Sequence, residues 1–70
     1  MTLDPIDGSS VASHMGHDPA TNTLRVRFHS GREYEYSGVS AEDHQALKDA
    51  ASFGRHFGAY IRGKYPHREV

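Results

Sequence analysis

The stretch TLRVRFHSGREYEYSG, Thr23 to Gly38, decides the fold. In its first half Leu24, Val26 and Phe28 alternate with Arg25, Arg27 and His29, the period-2 pattern of a strand with one apolar face. His29-Ser30-Gly31 reads as a three-residue hairpin loop, with Gly31 in the left-handed position that side chains disfavour. That loop sets a register. Phe28 meets Arg32, Val26 meets Tyr34 and Leu24 meets Tyr36. On the other face Arg27 meets Glu33 and Arg25 meets Glu35. A slip of one residue would turn Glu33 and Glu35 onto the apolar face. Burying two unpaired carboxylates costs several kcal/mol, so the unslipped register is favoured. Tyr34 and Tyr36 then belong to the core by position, with their hydroxyls at its edge.

Working outward, Val11, Ser13, Met15 and His17 alternate weakly with their neighbours and predict a preceding strand. Asp18-Pro-Ala-Thr-Asn22 supplies the turn between the two. After Gly38, Ser40 is a helix N-cap with Glu42 and Asp43 in the first turn, where the helix dipole favours acids. That helix is predicted to run to about Ala51, with Leu47, Ala50 and Ala51 as its apolar stripe. Ser52 caps a second helix whose Phe53, Phe57, Tyr60 and Ile61 fall on one face. Gly63 and Pro66 end it. Gly54 and Gly58 lie inside it and are read as marks of close helix-to-sheet approach. The fold class is α+β: a three-stranded antiparallel β-meander followed by two short α-helices packed on one sheet face. Phe28, Tyr34, Tyr36, Phe53, Phe57 and Tyr60 form the expected aromatic core. Residues 1–9 read as a flexible tail, with Ile6 as its one residue able to dock, and residues 10–70 read as a single domain.

Size limits the functions open to such a chain. It has 70 residues, no cysteine and 36% hydrophobic residues. A domain of this length buries about 60% of its unfolded surface, which disfavours an enclosed active site. No apolar run is long enough for a membrane helix, and MTLDPIDGSS has neither the basic nor the apolar segment of a secretion signal. The expectation is a soluble, cytoplasmic protein. Net charge is −1, but cations concentrate in residues 53–70, where Arg55, Arg62, Lys64 and Arg68 face Glu69 alone.

Several pieces together resemble the KTSC domain, a small module named for its occurrence at the C-terminus of some lysyl-tRNA synthetases. They are the Leu24-Val26-Phe28 strand, Ser30-Gly31, Tyr34-Glu35-Tyr36, Gly38-Val39, Ala51-Ser52, Gly54, and Ile61-Arg62 followed by Tyr65. The similarity covers roughly residues 10–65. His17 departs from it, since a tyrosine before the aspartate is more typical there. The resemblance implies a free-standing bacterial or phage member of that family, with no established activity. The synthetase association implies RNA as a ligand.

RNA binding needs a basic surface with stacking aromatics or arginines. Arg55 and Arg62, seven residues apart, share one face of the second helix away from its apolar stripe, and Lys64 and Arg68 extend the charge. These four are the candidate phosphate contacts. The plain alternative is a solvated face with cations at a helix C-terminus, where the dipole favours them. The near-neutral whole and the pairing of Arg25 and Arg27 with Glu33 and Glu35 count against the outer sheet face. The tyrosine pair could imitate a stacking sheet, but it falls on the helix-covered side. Six histidines, His14, His17, His29, His44, His56 and His67, show no metal-ligand spacing, and no cysteine is available to help. No nucleophile elbow or phosphate loop occurs, so catalysis and cofactors are not expected. The other function class is a protein-interaction or adaptor module, or a homodimer, acting through an exposed sheet edge. The first strand is the expected edge.

Overall fold

The hairpin forms in the predicted register. The computed structural model describes residues 2–70. Along the chain lie β1 (Asp4–Pro5), β2 (Ala12–Asp18), β3 (Thr23–Phe28), β4 (Glu33–Ser37), α1 (Ala41–Asp49), α2 (Phe53–Tyr60) and β5 (His67–Glu69). In β3 and β4, Leu24 pairs Tyr36, Arg25 pairs Glu35, Val26 pairs Tyr34 and Arg27 pairs Glu33. Gly31 takes φ 94°, and the Phe28 amide closes the loop on the Arg32 carbonyl at 2.9 Å. The turn before β3 also follows its chemistry. Asp18 Oδ1 accepts from the Ala20 amide at 3.0 Å, and Asn22 adopts φ 53°.

The sheet has five antiparallel strands in chain order, which corrects the expected three. The two additional strands are short and lie at the edges. β1 pairs Asp4 with Met15 and Pro5 with His14, and β5 pairs His67, Arg68 and Glu69 with Tyr36, Glu35 and Tyr34. Neither segment alternates apolar and polar residues, because an edge strand is held by backbone hydrogen bonds that carry no sequence signature. Met1 lies outside the described residues, and within the segment expected as a flexible tail residues 4–6 bond to β2. The Ile6 amide donates to the Ser13 carbonyl at 2.8 Å, and the Ile6 side chain packs against the core. Gly16 makes room for Thr2 and Leu3. A Cβ there would sit 2.5 Å from the Thr2 carbonyl oxygen and 2.8 Å from Leu3 Cδ2. The first predicted strand is therefore interior, between β1 and β3, and the edges are β1 and β5.

Both helices cover one sheet face. Ser40 Oγ accepts from the Asp43 amide at 3.2 Å, and Ser52 Oγ from the Arg55 amide at 3.4 Å, so both predicted caps form. α1 stops at Asp49 and buries only Leu47, leaving Ala51 exposed in the link to α2. α2 buries Phe53 and Phe57, and Ile61 follows them. Tyr60, expected in the core, is 62% exposed and rests on His56 at 4.6 Å between ring centroids. The buried row repeats every four residues, 53, 57 and 61, and Tyr60 lies one position off it. Leu24, Val26, Val39, Leu47 and Ile61 are the largest fully buried side chains. Each such burial stabilises the fold by about 1.5–3 kcal/mol.

Candidate functional site

Helix α2 and the chain leaving it build the site. The Arg62 amide donates back to the Phe57 carbonyl at 2.8 Å, and the Lys64 amide to the Ile61 carbonyl at 3.0 Å. Gly63, at φ 79°, reverses the chain between them. The Tyr65 hydroxyl then donates to Asp43 Oδ2 at 2.7 Å, anchoring the reversal to α1 and pushing the Tyr65 phenol pKa up. From there β5 runs alongside β4. Arg62 is left beside a groove of about 490 Å³ between α2 and the hairpin.

The groove is walled by aromatic rings. Phe57 meets Tyr36 edge to face at 5.3 Å and 88°, and Phe28 at 5.9 Å and 70°. Phe28 meets Tyr34 at 5.7 Å and 74°. His67, on β5, closes the set at 5.4 Å from Tyr36 and 5.9 Å from Tyr34. Burial pushes the Tyr36 phenol pKa up, Arg62 partly offsets that, and Tyr34 adds to it. Among the described residues the one fully buried side-chain polar atom without a partner is Arg25 Nε. Tyr34 and Tyr36 both line the groove, and among the described residues their hydroxyls have no side-chain or backbone partner. At Gly58 the wall is open, since an added Cβ would meet nothing within 4 Å.

The four candidate phosphate contacts do not converge. Arg55 lies exposed on α2, Arg62 lines the groove, and Lys64 sits in the turn after it. Arg68 lies on the opposite sheet face, where its Nε and Nη2 reach Glu35 Oε1 at 3.2 and 3.1 Å. Arg25 holds the other Glu35 oxygen at 2.6 Å, and Arg27 holds Glu33 at 2.6 Å. The Arg25 and Arg68 hydrogen bonds lower the Glu35 pKa. Arg32 approaches Glu69 at 3.7 Å. Among the described residues no carboxylate pairs with Arg55, Arg62 or Lys64. Sequence reasoning found these cations and missed the groove beside them. The available signal was Gly58, a helical glycine without a packing neighbour. Gly54 does mark close approach, since a Cβ there would lie 2.9 Å from Val11 Cγ2.

The histidines do not gather. His17 donates from Nε2 to the Val39 carbonyl at 2.6 Å and stacks on His44 at 5.0 Å, pinning β2 to α1. Burial lowers the His44 pKa, and His17 and Lys48 lower it further, against a small opposing effect of Asp4. His29 bonds the Ser9 carbonyl at 2.8 Å. Among the described residues no three His, Asp or Glu side chains are grouped to hold a metal, and no helix is long and apolar enough to cross a membrane.

Known proteins resemble this chain in sequence and fold. The KTSC domain family matches residues 8–65. The chain is 40% identical over 57 residues to an uncharacterized protein of Stutzerimonas stutzeri, covering 81% of this chain and 80% of that one. It is 34% identical over 61 residues to a lysine–tRNA ligase of Nostoc punctiforme, covering 87% of this chain and only 11% of the ligase. The crystal structure of a KTSC domain protein from Yersinia pestis is similar with a TM-score of 0.94 at 33% identity, over 99% of this chain and 96% of that one.

Proposed function

The chain belongs to the KTSC domain family, and from that premise we propose that it is a non-catalytic binding module for RNA, working in the cytoplasm through the basic end of α2. The observation that carries this reading is the distribution of uncommitted charge. Arg25, Arg27, Arg32 and Arg68 each lie within ion-pair reach of a glutamate. Of the four basic residues without such a partner among the described residues, Arg55, Arg62 and Lys64 belong to α2 and the turn that follows it, and Lys48 lies in the last turn of α1. Unpaired cations, one of them, Arg62, beside aromatic rings, suit a flexible polyanion whose bases can be splayed out. A similar segment forms a small part of a lysine–tRNA ligase, an enzyme named for an RNA. That agrees with an appended RNA-holding module. The groove offers rings and a guanidinium rather than a paired acid and base, which supports binding without bond-making. In this reading Arg55, Arg62 and Lys64 contact phosphate, and Arg68, held by Glu35, contributes least.

The test is an amide-shift titration with short single-stranded RNA at low and moderate salt. Shifts concentrated in residues 55–64 are expected. Three phosphate contacts on a single strand lower log affinity by about 2 for each tenfold rise in salt. Unchanged spectra at both salts would rule the reading out.

A second reading uses the free edge of β5. All three of its residues are exposed, and an edge strand can take up a partner strand or a second copy of this chain. Slowed amide exchange at residues 67–69 only when a partner is present would favour it over RNA.

A further inference from the structure

We propose that the groove beside α2 is a pocket for one unstacked nucleobase of an RNA strand, with the adjoining phosphate on Arg62. This rests on the RNA reading and assigns it a seat. The starting observation is the contrast between two glycines in one helix. A helical glycine is unfavourable relative to alanine and persists where something needs the space. At Gly54 that something is Val11, 2.9 Å from where a Cβ would stand. At Gly58 the protein itself needs nothing. Apart from its chain neighbours and the helix's own backbone, no atom lies within 4 Å of the Cβ position, and φ is outside the left-handed range that favours glycine. The missing side chain leaves the groove wall open.

The chemistry of the hollow fits a base and a phosphate together. Tyr34 is the half-buried ring at the wall, and Phe57 and Tyr36 lie buried behind it, so the accessible ring belongs to a strand rather than a flexible loop. The two tyrosine hydroxyls and Ser30 supply hydrogen-bonding groups for a base edge. Arg62 supplies positive charge at the rim, and no carboxylate competes for it among the described residues. A volume of about 490 Å³ lies in the range of small-ligand pockets, about 300–1,000 Å³. An apolar peptide side chain would leave the guanidinium unused, and a bare phosphate would leave the rings unused. A nucleotide unit uses both.

The experiment compares the intact chain with Gly58→Leu and Tyr34→Leu. Leucine is a strong helix former and fills the open wall at 58, so the melting temperature of Gly58→Leu is not expected to fall. Tyr34→Leu keeps apolar volume and removes the ring and hydroxyl, and it decides the matter if Gly58→Leu misfolds. Each protein is titrated with a short single-stranded RNA, a nucleoside monophosphate and inorganic phosphate. Both variants are expected to bind RNA at least 5-fold more weakly with an unchanged salt slope, since stacking is lost while phosphate contacts remain. The nucleoside monophosphate is expected to shift the ring signals of Tyr34 and Phe57, and inorganic phosphate only the Arg62 side chain. Wild-type RNA affinity in both folded variants would overturn the pocket and leave RNA binding standing. Identical shifts from the monophosphate and inorganic phosphate would reduce the site to a phosphate contact and overturn it as well. No RNA binding by the wild-type chain at low salt would overturn both readings.

Discussion

The two faces of the sheet use arginine in opposite ways. On the outer face the alternation of β3 and β4 sets Arg25 and Arg27 across from Glu35 and Glu33, and β5 adds Arg68 to Glu35. The result is a continuous chain, Arg27–Glu33–Arg25–Glu35–Arg68, in which three arginines share two glutamates. On the helix side Arg62 sits beyond the hairpin's register, next to rings and an open wall at Gly58. The first arrangement is closed by strand pairing, and the second is left for something outside the chain. Counting basic residues along the sequence merges the two. Following each cation to its nearest carboxylate separates them.

The faces share one apolar seam, and cutting it is the largest break available. Leu24 is fully buried and pairs with Tyr36, whose ring meets Phe57 across the groove. Leu24→Ala is expected to destabilise the protein by about 2–5 kcal/mol in urea denaturation, depending on how far the site collapses. The two glycines of α2 sharpen the comparison on a smaller scale. Gly58→Ala is expected to stabilise by about 0.5–1 kcal/mol, because the added methyl meets open space in a helix. Gly54→Ala is expected to gain less or to lose, because the methyl must displace Val11. Equal gains at both positions would remove the distinction between a packing glycine and an open one.

These contrasts show where the sequence is legible and where it is not. The hairpin could be read residue by residue because a charge-bearing alternation permits one register, and Ser40 and Ser52 could be read as caps because their side chains act on neighbours three residues away. β1 and β5 were not legible. Two and three exposed residues held by backbone bonds leave no pattern in side chains. Tyr60 shows the limit of helical periodicity, since a position near the edge of an apolar stripe can face core or solvent. The candidate site was half legible. Arg55, Arg62 and Lys64 stand out by charge. The loss of Arg68 to Glu35 and the placing of His67 beside Tyr34 and Tyr36 depend on β5, which the pattern did not announce.

The smallest expected effect tests whether the outer face is closed by Glu35. Its carboxylate pKa is lowered by hydrogen bonds from Arg25 and then Arg68. In the unfolded chain a glutamate titrates near its ordinary value of about 4.3. Between that value and the lower folded one, the unfolded state binds more protons than the folded state. The stabilisation from Glu35 is therefore complete above the unfolded value and is lost as pH falls through the folded one. Urea midpoints measured from neutral pH down into acid should show wild type above Glu35→Gln at neutral pH and the two converging in acid. Arg68 is 78% exposed at its side chain, so high salt should shrink the gap. The same variant frees Arg68 on the outer face and leaves Arg25 with only its 3.9 Å contact to Glu33. If RNA is held from the helix side, the shifts at residues 55–64 should persist in Glu35→Gln, with any new ones confined to β3 and β5. Migration of the whole response to those arginines would mean that the uncommitted cations of α2 are solvated charge, and the distinction between the faces would rest on stability alone.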